Sequence, residues 1–162
     1  MTVVTWSDRL IDNPKPATDE QVQEAERDLE VRLPADFLAI AKVHQGAMPE
    51  PYCFDLPDGG QGGISYLLHF EEEPFNSNIV ARGWPAWVNG VLSEKVIPFA
   101  EDNGNLICFD YRNTDEAPEV VYWVHDDREA PLQRVASSFT ELIGMLYDPD
   151  APPESPVGWG EP

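Results

Sequence analysis

The chain has 162 residues, of which 42% are hydrophobic and 10% aromatic, and this composition suits one domain with a single core. Thirty Asp and Glu against ten Lys and Arg give a net charge of -20, which argues against nucleic acid and anionic membranes as partners and favours a basic protein. No apolar run is long enough to span a membrane and MTVVTWSDRL lacks the features of a signal peptide, so we expect a cytoplasmic protein.

The first predicted element is a helix over residues 19–30. Thr18 and Gln21 have the spacing of a capping box, after which apolar side chains recur on one helical face while the other faces are acidic. A second helix is predicted in LPADFLAIAKVHQG, beginning near Pro34 and ending at Gly46 in a left-handed cap. The two helices are expected to form a hairpin at the start of the domain.

Short β-rich runs after the helices predict an antiparallel sheet, namely YCFDL, GISYLLHF, KVIPFA, LICFDY and VVYWVH. Between the third and fourth runs, Asn103 and Gly104 predict a tight hairpin turn because both tolerate a positive φ. A calcium loop is the weaker alternative, because EDNGNLICF has apolar residues where oxygen ligands would be required. Between the second and third runs, we predict only a short helix near Ile79.

The C-terminal part of the chain contains a last predicted helix and a tail. Ser138 and Glu141 repeat the capping-box spacing, and the apolar residues that follow lie on one helical face. From Asp148 onward the chain is rich in proline and lacks periodicity, which predicts a mobile acidic tail over residues 148–162. Residues 1–17 are interpreted as an N-terminal extension, which leaves one domain over residues 18–147.

No local signature of catalysis or cofactor binding is present. The chain has no G-x-S-x-G, P-loop, dinucleotide or H-E-x-x-H motif, and its glycine-rich DGGQGG lacks the Lys and Ser/Thr of a phosphate site. Its histidines are isolated, and Cys53 and Cys108 are too few for a thiolate metal site, so both are expected to be buried free thiols. We predict no enzymatic activity and no cofactor; a hydrolase using scattered carboxylates is the alternative from another class.

Candidate partner-binding residues are acidic and aromatic. Glu71, Glu72 and Glu73 precede a segment that contains Trp84 and Trp87. Exposed acids would speed the encounter with a basic partner, and desolvated indoles would slow its dissociation. The indoles could instead close a lid over the core, and the acids could serve solubility alone. The predicted surface also includes three acids from the loops of the sheet, Asp102, Asp126 and Asp127.

Several separated motifs together resemble one protein family. The acidic first helix followed by LPADFLAIAKVHQG resembles its "E…LP.D…L…..G" opening, and IPFAEDNGNLICFDYR resembles its "PFA.D..G..ICFDY" hairpin. The ending VVYWVHDD followed by VASSFTELIGML resembles "V.YW.HD…..A.SF.EFL..L". On these motifs, residues 18–147 are identified as similar to the SUKH superfamily, the Smi/Knr-like domain.

The resemblance implies an α+β fold with a curved antiparallel sheet and packed helices. It also implies a binding role without catalysis. Many family members look like immunity proteins that neutralise a polymorphic toxin delivered between competing bacteria, often a nuclease. A regulatory interaction domain of the same fold, without a toxin partner, is the alternative.

Overall fold

The computed structural model describes residues 3–126 and 132–150. Helices and antiparallel strands form the predicted α+β fold. In chain order the elements are β1 (Thr5–Ser7), α1 (Asp19–Leu29), α2 (Ala35–Ala41), β2 (Met48–Glu50), β3 (Cys53–Asp55), β4 (Gln61–Gly63), β5 (Tyr66–Leu67), a 3-10 helix (Phe75–Ser77), α3 (Trp84–Val88), β6 (Val96–Asp102), β7 (Asn105–Asp110), β8 (Glu119–Trp123), β9 (Gln133–Ala136) and α4 (Phe139–Gly144). The predicted tail beyond residue 150 and Asp127 lie outside the described residues.

A five-stranded antiparallel sheet in the order β5-β6-β7-β8-β9 is the centre of the fold. The predicted hairpin joins β6 to β7, with Asp102 paired to Asn105 across the turn. In that turn Asn103 and Gly104 have φ angles of 49° and 99°, which is why the Asn-Gly pair suits it. Two short ribbons, β1-β2 and β3-β4, accompany the sheet.

Both faces of the sheet are buried: β6, β7 and β8 each contain at least four consecutive buried residues, and successive side chains of a strand point to opposite faces. On the first face, Phe37 of α2 and Phe139 of α4 pack against Phe99 of β6 and Phe109 of β7. We call these four side chains the Phe37 cluster. Phe99 and Phe109 stack with ring centroids 4.1 Å apart. A second, smaller cluster includes Leu106, Cys108 and Trp123, and the α3 residues Ala86 and Trp87 pack against it.

The helix caps agree with the capping-box spacing in the sequence. Thr18 Oγ1 accepts a hydrogen bond from Gln21 N at 3.0 Å, and Gln21 Oε1 accepts one from Thr18 N at 2.8 Å. At α4, Ser138 Oγ accepts from Glu141 N at 3.1 Å, whereas the Glu141 carboxylate accepts from Ser137 N at 2.7 Å. Each helix therefore begins at the residue that the capping spacing predicted. At α4 the Glu141 side chain bonds the residue before the N-cap rather than the N-cap itself.

Two sequence predictions were wrong in position. The second helix ends at Ala41 rather than near Gly46, and the Lys42 carbonyl accepts a hydrogen bond from Ala17 N at 2.8 Å, a partner outside the helix. The short helix predicted near Ile79 lies slightly earlier, as the 3-10 helix Phe75–Ser77. Ile79 itself lies in a turn, and its N–H donates to the His69 carbonyl at 2.8 Å. Tertiary hydrogen bonds decided both positions.

Each helix in the described ranges is too short or too polar to cross a lipid bilayer.

Candidate functional site

Residues 71–93, which include the 3-10 helix and α3 and which we call the middle segment, are attached to the sheet by contacts on their inner side. Trp87 Nε1 donates to the Val96 carbonyl at 3.1 Å. A Cβ at Gly83 would lie only 2.4 Å from the Trp87 ring, so the indole packs here because residue 83 has no side chain. Arg82 Nε lies 2.8 Å from Glu101 Oε1, and Tyr66 donates to the same carboxylate at 2.5 Å. These contacts fix the segment to β6.

The outer side of the same segment is apolar and exposed. Phe75 and Trp84 each retain 64% of their accessible surface, and Val88 retains 61%. Trp84 and Val88 are four residues apart, which places them one helical turn apart on α3. Only five large hydrophobic side chains are exposed within residues 3–126 and 132–150, and these three share one segment. Such clustering is typical of a binding surface.

A groove runs between α1 and this segment. One hollow of about 560 Å³ has Phe75 and Trp84 in its wall. A second hollow, of about 720 Å³, continues toward Lys15 and Glu73. The two hollows share four lining residues and therefore form one continuous depression, which we call the α1 groove: Gln21, Glu24, Phe70 and Glu72.

The α1 groove has an acidic rim. Glu24 and Asp28 lie one turn apart on the exposed side of α1, and Glu72 faces the same space from the neighbouring segment. Within the described part of the chain, their carboxylates make no hydrogen bond or ion pair with another side chain. The helix was predicted to be acidic from its sequence, but Glu24 and Asp28 were not predicted to belong to the site. Their i, i+4 spacing was the available signal.

The predicted triplet of glutamates divides into different roles. Glu71 is half-buried rather than exposed, because its carboxylate accepts a hydrogen bond at 2.9 Å from Nε2 of the buried Gln45. Glu73 is exposed and accepts from Phe75 N at 2.9 Å, at the start of the 3-10 helix. Glu72 is exposed and lines both hollows. The groove therefore brings the triplet and Trp84 together, while Trp87 faces the sheet.

Two of the predicted acids of the sheet loops, Asp102 and Asp126, do not line the α1 groove. Asp102 accepts hydrogen bonds from Gly63 N at 3.1 Å and from the Tyr122 hydroxyl at 2.5 Å, so its carboxylate ties β4 to the sheet. Burial, followed by this hydrogen bond, raises the pKa of Tyr122. Asp126 is exposed and lies 2.9 Å from His125 Nδ1. Asp127 is outside the described residues.

The chemically reactive side chains have structural surroundings. His69 is buried, with Nε2 3.1 Å from Ser77 Oγ and Nδ1 accepting from Glu71 N at 3.1 Å. Burial lowers the pKa of His69 below its ordinary value of 6.5. Cys53 and Cys108 are buried free thiols, as predicted, and burial raises the pKa of both, which makes them poor nucleophiles.

Within residues 3–126 and 132–150, no group of three or more His, Cys, Asp or Glu side chains is arranged to hold a metal ion. What the α1 groove offers is an apolar shelf beside unpaired carboxylates. That arrangement can bind a protein segment, with aromatic contacts for affinity and acidic groups for selection by charge.

The comparisons with known proteins agree with the motifs in the sequence. A search of curated proteins found no significant match. The model of the SMI1 / KNR4 family (SUKH-1) matches residues 16–145, which is most of the chain and includes both caps, the β6-β7 hairpin and most of the α1 groove. The chain therefore belongs to the SMI1 / KNR4 family (SUKH-1).

Proposed function

We propose that this SUKH-1 domain is an immunity protein that binds and neutralises a cognate toxin, and that the toxin is a basic nuclease. Family membership is the observation that carries the proposal, because SUKH-1 domains are in general immunity or interaction proteins rather than enzymes. A nuclease must attract phosphates, so its working surface is basic and complementary to a chain with a net charge of -20. Neutralisation then consists of occupying that surface.

The charge also supports a fast association. Oppositely charged proteins associate faster than neutral ones, and this gain is lost as salt screens the exposed charges. Speed matters for an immunity protein, which must reach the toxin before the toxin reaches nucleic acid. Glu71, Glu72 and Glu73 were predicted to contribute to this steering; Glu72 and Glu73 are exposed and Glu71 is half-buried.

Coexpression tests the proposal. The toxin gene that neighbours this one is induced in a bacterial host with and without the full chain, and growth is followed together with the integrity of cellular nucleic acid. We expect the chain to restore growth and to copurify with the toxin. A toxin from an unrelated system, expressed to the same level, is the control and should remain lethal.

Failure of every neighbouring toxin to bind the chain would show that the immunity function is wrong. The regulatory interaction domain of the same fold would then be the better interpretation. Rescue without physical association would also count against the proposal, because it requires neutralisation by direct binding.

A further inference from the structure

We infer that the α1 groove is the partner-binding surface and that its occupant is a basic protein segment carrying an apolar anchor side chain. The inference deepens the proposed function, on which it rests for the identity of the protein that carries this segment.

The apolar wall of the groove includes Phe75 and Trp84. Each keeps 64% of its surface in water although the same chain buries its other phenylalanines almost fully. Exposed aromatic surface is unfavourable in the free protein, and its burial by a partner contributes favourable free energy to binding. An indole face also attracts a guanidinium or ammonium group placed over it. Trp84 therefore suits either an aliphatic anchor or the stem and head of an arginine.

The acidic rim of the groove consists of Glu24 and Asp28 on α1 and of Glu72 on the opposite side. All three are exposed, and none makes a side-chain ion pair within the described ranges. Elsewhere in the described chain carboxylates form ion pairs with arginines, as Glu101 does with Arg82 and Glu119 with Arg134. Unpaired acids beside an apolar wall favour a segment in which basic and apolar side chains alternate.

Other occupants fit the charge less well. A second copy of this chain would bring a partner with the same net charge of -20 to the groove. The chain's own residues 151–162 carry Glu154 and Glu161 and no base. Nucleic acid and anionic lipid would be repelled by the rim. A basic protein segment satisfies both the aromatic shelf and the acids.

The test uses the full chain and a short fluorescein-labelled peptide of repeating Leu-Arg-Arg, with binding followed by fluorescence anisotropy. Leu-Glu-Glu and Ser-Arg-Arg repeats separate the contributions of charge and of the apolar anchor. We expect the Leu-Arg-Arg peptide to bind most tightly. Trp84→Ala or Phe75→Ala should weaken binding by about 10-fold or more, because centrally placed aromatic anchors dominate such interfaces.

A charge-matched pair of triple variants tests the rim. Replacement of Glu24, Asp28 and Glu72 by Gln should weaken binding several-fold at low salt, with a smaller effect near physiological salt. The control replaces three exposed acids elsewhere, Glu94, Asp115 and Glu116, by Gln and changes the net charge equally. If both triple variants weaken binding to the same extent, charge acts globally and the groove assignment is wrong.

Further outcomes would overturn the inference. Circular dichroism confirms folding of each variant, so full affinity in folded Trp84→Ala and Phe75→Ala variants, or no binding of any basic peptide by the unmodified chain, excludes this occupant. Sedimentation that shows a dimer abolished by Trp84→Ala would assign the groove to a second copy. Tighter peptide binding after truncation at Asp150 would assign it to the chain's own end. Each result is independent of toxin rescue, so the immunity function can fail or hold separately.

Discussion

Four phenylalanines fill the space between the sheet and helices α2 and α4, whereas Phe75 and Trp84 stand largely in solvent on the far side of the segment that covers the other sheet face. The side chains are chemically alike, and their surroundings decide what they contribute. Aromatic burial inside the domain stabilises the fold. Exposed aromatic surface adds little to the fold and is available to a partner. Substitutions in the two regions should therefore affect different measurements.

The largest expected effect comes from Phe37→Ala. Phe37 is fully buried and makes edge-on contacts with three phenylalanines, including Phe99 at 5.4 Å and Phe109 at 5.3 Å between ring centroids. Truncation leaves a cavity in a closely packed cluster, so the free energy of unfolding should fall by about 3–5 kcal/mol. Urea titration measures it. Phe37→Leu, which fills more of the space, should lose less, and a loss below about 1 kcal/mol for Phe37→Ala would contradict the assignment of the core.

Trp87→Ala should have an intermediate effect, because Trp87 is half-buried against both clusters and donates one hydrogen bond to Val96. We expect a loss of about 2 kcal/mol in the free energy of unfolding, below the range for a fully buried aromatic side chain. Trp87→Phe loses the donor but keeps part of the packing, so it should be milder than Trp87→Ala. If Trp87→Ala left the free energy of unfolding unchanged, the indole would not be part of the packing against the sheet and would belong to the binding surface instead.

His69 should make stability depend on pH. Its pKa is lowered by burial, opposed in part by the nearby Glu71 and Glu73, so near its ordinary value of 6.5 the unfolded state takes up a proton that the folded state does not. Stability from this group is therefore complete above pH 6.5 and falls as the pH drops below it, by at most about 1.4 kcal/mol per pH unit.

The measurement compares urea titrations of the unmodified chain and His69→Gln at several pH values between about 5 and 8. The many carboxylates contribute equally to both proteins, so the difference between the two curves isolates the histidine. The stability difference should shrink as the pH falls. A constant difference would mean that His69 titrates alike in the folded and unfolded states.

The smallest effect on folding is expected for Trp84→Ala and Phe75→Ala. Both side chains are mostly exposed and neither makes a side-chain hydrogen bond in the described structure, so each change should alter the free energy of unfolding by about 0.5 kcal/mol or less. Thermal and urea unfolding both measure it. A loss above about 2 kcal/mol would place these residues with the Phe37 cluster and would remove the contrast between the two regions.

Local chemistry made part of this fold predictable. The Thr18–Gln21 cap and the Asn103-Gly104 turn depend on residues within a few positions of one another, so their spacing carried the information. The β1-β2 ribbon was missed because its strands are three residues long and pair Trp6 with Pro49. Short strands carry almost no periodic signal, and their pairing is decided by the rest of the fold.

The site was predictable only in its parts. The aromatic residues and the glutamates of the middle segment were recognised, but the sequence did not separate Trp84 from Trp87, because residues three apart on a helix lie near the same face. Only the tertiary packing of Trp87 over Gly83 and its hydrogen bond to the Val96 carbonyl distinguish the two indoles. The α1 wall came from a helix more than forty residues away in sequence. Glu71 could not be distinguished from Glu72, because Gln45, which holds Glu71, is placed by the tertiary fold.

The attachment of the middle segment by Arg82, Gly83 and Trp87 has an evolutionary consequence. These inner contacts hold the backbone in place without help from Phe75, Trp84 or Val88, whose side chains lie on the outer side. Outer positions can therefore diversify toward new partners while the inner ones are kept, and a lineage can change its specificity without refolding the domain.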